Sequence, residues 1–428
     1  MEFLVDNQAS TKRFKHFYAS DLRGIGQLVT QAAISTTRIA EGVHQSVWRT
    51  MGVPGGSTPD RTRGLTGFVY KNIYKITELL GNGIDKVLEN KQPWLESFDE
   101  GKKETLERIS VLSALNGVMG DRLVEQDNQF AIPMSIYYQQ EPLSLDDLHA
   151  GQIPQATSKV LLMIHGLCMN DRLWQGEHDG VEVDHGLQLS ASLGYTPVYL
   201  RYNTGLHTSQ NGRQLSDLLE QLVKNWPTPI EELSIVAHSM GGLVARSAVY
   251  YGQEQAMTWP DTLKNLVFLG TPHHGAPLER IGNKLGIILS KTPYTAPFNL
   301  LSNLRSSGIT DLRYGNVIDQ DWQGVDRFHN KPDGRIGVPL PQGIECFAIA
   351  ATTATQRSVL AERLIGDGLV PLNSALGYHS VDEHHLMFAE PSQKIFYEMN
   401  HNQLLSDPQV TQQLELWLAN NVKSEDTK

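Results

Sequence analysis

Ser239 sits in the pentapeptide Ala237-His238-Ser239-Met240-Gly241. The apolar run Leu233-Ser234-Ile235-Val236 precedes it, and Gly242-Leu243-Val244-Ala245 follows. That order reads as a strand, a sharp turn and a helix, with a serine at the apex. A serine hydroxyl is a poor nucleophile at neutral pH. It needs a base beside it and a turn that exposes it. Small residues must flank such a turn, because strand and helix nearly touch there. The usual pattern is Gly-x-Ser-x-Gly; here Ala237 stands for the first glycine and is still small. An ordinary strand-to-helix turn can carry the same letters, so the partners of Ser239 decide between the two readings.

The base needs an orienting carboxylate. Gly366-Asp367-Gly368-Leu369-Val370-Pro371 offers Asp367 on a tight loop after an apolar run at 344–350. His401 is singled out from 15 histidines by its place. It follows the run Ile395-Phe396-Tyr397-Glu398-Met399 and precedes Asp407-Pro408, an N-cap with proline in the first turn of a helix. His379, His384 and His385 compete with it but lie before that run. A serine nucleophile also needs two amide donors for the oxyanion of its intermediate. Met240 N–H is one, from the turn itself. Leu167 N–H is expected to be the second, after Ile164-His165-Gly166, with Cys168 as its substitute. No base neighbours the Cys168 thiol in sequence, and His238 reads as structural.

These residues must be held by strands. Val160-Leu161-Leu162-Met163-Ile164 is continuously apolar, the pattern of a strand buried on both faces. Pro197-Val198-Tyr199-Leu200, Leu266-Val267-Phe268-Leu269 and the runs at 233–237, 344–350 and 395–399 continue the series, and 131–138 reads as a further strand. A helix is expected at about 207–225. Alternation of strands and helices predicts a mostly parallel sheet with crossover helices. Residues 276–342 are too long for one crossover and read as a lid or cap insertion. Within it Leu278, Ile281, Leu285 and Ile288 have helical spacing, and Tyr294, Phe298 and Leu300 offer apolar lining.

The first 128 residues differ. Apolar stripes at helical spacing run through Leu22, Ile25, Val29, Ala32, Ile39, Val43 and Val47, then Val69, Ile73, Ile76, Leu80, Ile84 and Val87. A third helix is expected at about 101–124. This predicts an α-helical N-terminal region, 1–128, followed by a catalytic domain, 129–425. Residues 1–90 carry a net charge of +3 within a chain of −11. That balance argues against a nucleic-acid partner. The stripes read first as helices packed against each other or against the main domain, with peripheral membrane contact or self-association as the alternatives. Two cysteines make neither a disulfide framework nor a metal cluster. No signal peptide or transmembrane run is visible, which reads as a soluble, cytoplasmic protein.

Five motifs in order now carry a resemblance. They are His165-Gly166-Leu167, Ala237–Leu243 around Ser239, Gly270-Thr271-Pro272-His273-His274-Gly275, Gly366–Pro371 around Asp367, and Asn400-His401. Over about 155–425 the chain resembles the α/β-hydrolase superfamily, in its branch of lipases and PGAP1-like serine esterases. The resemblance implies a Ser239/Asp367/His401 triad that hydrolyses carboxylic esters without cofactor or metal, on an ester or acyl-lipid substrate. It also implies a substrate pocket walled by Thr271, Pro272 and His273 beside His165, Gly166, Cys168 and His238. Phospholipase, thioesterase or acyltransferase chemistry would use the same triad; a non-catalytic lipid-binding adaptor is the reading of another class.

Overall fold

The computed structural model describes residues 18–34, 64–97, 99, 103–148, 151–277, 305–327, 332–355 and 366–420. Its strands are β1 (Ser135–Tyr138), β2 (Glu141–Pro142), β3 (Lys159–Ile164), β4 (Gly176–His178), β5 (Val181–Val183), β6 (Thr196–Arg201), β7 (Glu232–His238), β8 (Leu263–Leu269), β9 (Glu345–Thr352) and β10 (Gln393–Tyr397). An eight-stranded sheet runs in the order β10-β9-β8-β7-β3-β6-β1-β2. All its pairings from β10 to β6 are parallel. β1 lies antiparallel to β6 and to β2. β4 and β5 form a separate antiparallel pair. The fold is therefore α/β, with a mostly parallel central sheet.

The central strands are apolar throughout because helices cover both faces. Val160, Leu162 and Ile164 point into one core with Ile235, Leu266 and, from the helix Thr208–Asn225, Leu215, Leu219 and Leu222. Leu161 and Met163 point into the other with Val236, Val267, Ile349 and, from the helix Pro408–Asn420, Leu414 and Trp417. The two-residue alternation of a strand divides one apolar run between two cores. The last strand ends at Tyr397, two residues earlier than its composition suggests. Glu398 has φ 56°, a left-handed conformation that turns the chain out of the ladder.

The chain divides into two compact units. The larger holds 109–125 and 131–428; the smaller holds 1–108 and 126–130. The helix Leu106–Glu125 thus falls mainly in the larger unit, although its periodicity groups it with the helices before it. Its buried residues explain this. Ala114 and Val118 join a third core with Cys168, Met240, Leu243, Ile309, Leu312 and Val370.

Within the smaller unit, residues 21–34 are helical and a long helix spans Gly64–Ser97. Arg23 Nε donates to Asp85 Oδ1 at 3.0 Å and Gln27 Nε2 donates to the same oxygen at 2.9 Å. Arg108 Nη2 donates to Asp21 Oδ1 at 2.7 Å. The later part of the first expected stripe, including Ile39, Val43 and Val47, lies outside the described residues, as does the side chain of Val69.

Part of the 276–342 insertion is packed. The helix Ser307–Asp311 is buried at all five positions, and Gly308 N–H donates to Gly205 O at 3.1 Å. The expected helix through Leu278, Ile281, Leu285 and Ile288, and the apolar residues Tyr294, Phe298 and Leu300, lie outside the described residues.

Candidate active site

β7 runs into the helix Met240–Glu254 through Ser239, whose φ and ψ are 55° and −126°. A non-glycine residue in that region costs on the order of 1–3 kcal/mol, so its surroundings must impose it. They do. Ser239 N–H donates to Leu269 O at 2.8 Å, and Gly242 N–H donates to Ser239 O at 3.0 Å. Ala237 pairs with Ile164 on one side and Phe268 on the other and has no exposed surface. On the helix side a Cβ at Gly241 would lie 2.6 Å from His165 O and 2.8 Å from Ile164 O. Glycine is needed on the helix side, where alanine suffices on the strand side.

Asp367 and His401, 34 residues apart, meet after the C-terminal ends of β9 and β10. His401 Nδ1–H donates to Asp367 Oδ2 at 2.6 Å, and His401 N–H donates to Asp367 O at 3.1 Å. Asp367 Oδ1 accepts from the N–H groups of Leu369 at 2.9 Å and Val370 at 2.8 Å. Burial pushes the Asp367 carboxyl up. The His401 charge and hydrogen bond, with the two backbone donors, outweigh it and hold the group below the ordinary carboxylate value. Nδ1 is committed to the carboxylate, so the Nε2 lone pair faces the other way. Among the described residues His401 Nε2 is buried without a hydrogen-bond partner.

Three contacts place this pair beside Ser239. Leu269 O holds the Ser239 N–H. At the next residue, Gly270, a Cβ would lie 3.1 Å from His401 Nδ1 and 3.2 Å from Asp367 Oδ2. His238, beside Ser239, donates from Nε2 to His401 O at 3.0 Å. His238 thus braces the histidine loop and is not a wall of an open pocket. His401 Nε2 makes no hydrogen bond to Ser239; catalytic hydrogen bonds often tighten only in the Michaelis complex.

The loop after β3 lies against the serine. A Cβ at Gly166 would sit 2.9 Å from Ser239 Cβ and 3.1 Å from His238 Nδ1, so only glycine lets the loop approach. Tyr202 O–H donates to His165 O at 2.9 Å, and the Tyr202 and His165 rings stack at 4.6 Å. Burial pushes the His165 imidazole down to about 4, which keeps it neutral. Cys168 N–H donates to Thr204 Oγ1 at 3.1 Å and so is occupied. Among the described residues neither Leu167 N–H nor Met240 N–H has a hydrogen-bond acceptor. Burial pushes the Cys168 thiol up to about 12, which leaves it protonated and inert.

The Gly270–Gly275 loop buries one of its histidines and leaves the other half-buried. His273 is fully buried, edge-on to Phe268 at 4.7 Å and 3.4 Å from an Arg246 nitrogen. Burial, with Arg246, keeps it neutral. Arg335 donates to His273 O at 2.7 Å and to His274 Nδ1 at 2.8 Å. Thr271 is buried against Gly242, under the helix start. Thr271 and His273 therefore hold the scaffold. The remainder of this loop, from His274 to Pro277, borders a cavity of about 720 Å³ with Pro371, Asn373 and Ser374 from the Asp367 side. Tyr202 and Thr204 escaped the sequence reading. The polar Tyr202-Asn203-Thr204 directly after the apolar strand β6 was the available signal.

A parallel sheet with a serine elbow after a central strand and carboxylate and histidine loops after two later strands defines an α/β-hydrolase fold. Residues 155–351 match the family described as PGAP1-like alpha/beta domain. The match spans less than half of the chain and makes that segment similar to this family. Among solved structures it is similar to the mature lipase BlEst2 of Bacillus licheniformis (17% identity, TM-score 0.38), with 61% of this chain and 91% of that one covered. It is also similar to the Pyrococcus furiosus esterase Pf2001 (16%, TM-score 0.33; 60% and 83%). A third is the Legionella pneumophila phospholipase PlaB (16%, TM-score 0.32; 51% and 46%). A comparison with curated proteins finds no match.

Proposed function

We infer that the chain is a serine hydrolase that cleaves carboxylic esters of lipids through an acyl-enzyme. The observation that carries this reading is the 2.6 Å Asp367–His401 contact with an unpartnered Nε2, beside a serine held at positive φ. His401 Nε2 takes the Ser239 proton as Oγ attacks the ester carbonyl. Met240 N–H and Leu167 N–H receive the oxyanion; such donors contribute roughly 3–4 kcal/mol each. Asp367 fixes the tautomer and stabilises the imidazolium. As the tetrahedral intermediate collapses, the C–O bond to the alcohol breaks and His401 returns the proton to that oxygen. Water then repeats the sequence on the acyl-enzyme and releases the acid and free Ser239.

The test is a fluorophosphonate probe with mass mapping, beside a panel of p-nitrophenyl esters, thioesters and phospholipids. Label on Ser239 and ester turnover that vanishes in Ser239→Ala are expected. Label elsewhere, or turnover unchanged in that variant, overturns the triad. No turnover on any member of the panel favours a lipid-binding adaptor.

A further inference from the structure

The helix Gly64–Ser97 leaves a row of aliphatic side chains in solvent. Ile73, Ile76, Leu79, Leu80, Ile84 and Val87 are between 40 and 73% exposed. At about 100° per residue these positions cover an arc of roughly 140°. The side of the helix that contacts residues 21–34 is a different one. Asp85 takes Arg23 and Gln27 there, and a Cβ on Gly26 would reach Leu88 at 3.7 Å. Ile84 marks the border between the two sides, 3.8 Å from the same Cβ position. The aliphatic row is therefore surplus to the helix pairing. A contiguous apolar surface of this kind marks an interaction site.

Charge selects the occupant. The helix has four lysines and, from Glu78 to Glu96, four carboxylates. On the same projection Lys75 and Lys86 lie within about 40° of one border of the row, and Lys91 lies within it. The acids Glu78, Asp85, Glu89 and Glu96 lie at least about 80° from the row. A copy of this helix laid face to face would bring lysines to lysines along the seam. A membrane bearing anionic headgroups would accept the aliphatic row in its interfacial layer and the lysines at its phosphates, with the carboxylates turned away from it. Among the described residues no helix is long and apolar enough to cross a membrane, so the geometry is that of a helix lying on one.

We propose that the Ile73–Val87 face of this helix is a docking surface for an anionic lipid membrane. The proposal does not depend on Ser239 being a nucleophile. It is tested with the full chain by co-sedimentation with phosphatidylcholine vesicles, with and without phosphatidylserine. Three proteins are compared: wild type, Ile76→Glu/Leu80→Glu, and Lys75→Glu/Lys86→Glu. Circular dichroism checks that each is helical. Wild type binds the phosphatidylserine vesicles at least several-fold better than the neutral ones. The aliphatic variant loses binding to both at least tenfold. The charge-reversal variant, which keeps the apolar row, loses the preference for phosphatidylserine. Three outcomes overturn the proposal. One is wild type that sediments with neither vesicle. Another is variants that bind as wild type does. The third is a dimer by light scattering that Ile76→Glu/Leu80→Glu converts to monomer with vesicle binding intact, which assigns the face to a second copy.

Discussion

Leu162 in β3 and Leu79 in the long N-terminal helix are the same residue in opposite circumstances. Leu162 has no exposed surface, whereas Leu79 is 73% exposed. Both belong to apolar patterns regular enough to read from sequence. In β3 the pattern reports what the residues touch: two cores, one on each face of the sheet. In the helix the pattern reports only that an apolar face exists. Periodicity fixes which residues share a face, and tertiary packing decides whether anything in the same chain covers it.

The larger effects belong to the sheet unit. Asp367→Asn keeps the shape of the Asp367–His401 contact but removes the charge and allows the wrong imidazole tautomer. Ester turnover is expected to fall by about 10⁴-fold with little change in melting temperature. A variant within tenfold of wild type would remove Asp367 from the chemistry. Leu162→Ala is expected to cost about 2–5 kcal/mol in urea unfolding, because the cavity it leaves is walled by strands on both sides.

A smaller effect depends on pH. His185 is buried, donating from Nε2 to Leu404 O at 3.0 Å and accepting at Nδ1 from Thr411 Oγ1 at 2.7 Å. Burial pushes it from 6.5 down to about 4. Between those values the unfolded chain binds a proton that the folded one refuses. Stability is therefore full above pH 6.5 and is lost as pH falls toward 4. The slope is about 1.4 kcal/mol per pH unit for each such histidine. His165 adds a second. Unfolding of His185→Gln measured from pH 7 to 5 should lose one share of that slope; parallel curves would refute the assignment. The least effect sharpens the comparison most. Leu79→Ala should change stability by less than about 0.5 kcal/mol, in contrast to Leu162→Ala. A loss comparable to that of Leu162→Ala would mean that the helix face is covered within the chain.

The α/β sheet was legible because buried parallel strands are continuously apolar and their helices are not. The pairing of Asp367 with His401 was legible because Asp367 lies on a tight glycine-flanked loop between β9 and β10, and His401 follows β10 by four residues. Two parts were not. The helix Leu106–Glu125 looks in sequence like its N-terminal neighbours, yet it clusters with the sheet unit. Close approach of backbone, as of Gly205 to Asn116 and Gly120, leaves no periodic mark. His273 of Gly270–Gly275 sits in a motif that points to a pocket, but Arg246 and Arg335 draw it into the scaffold, while His274 borders a cavity. Arginines 27 or more residues away are invisible to a local reading.

His401 holds the Asp367 loop twice, through its ring and through its own amide, and His238 ties the same residue to the serine turn. For protein engineering this makes the three segments one transplantable part. A graft of the acid loop alone would discard the main-chain N–H that donates to its carbonyl, and an exchange of the serine turn would cut the His401 carbonyl loose. Library designs that shuffle these loops independently should yield folded but silent chains, and those that move them together should retain turnover.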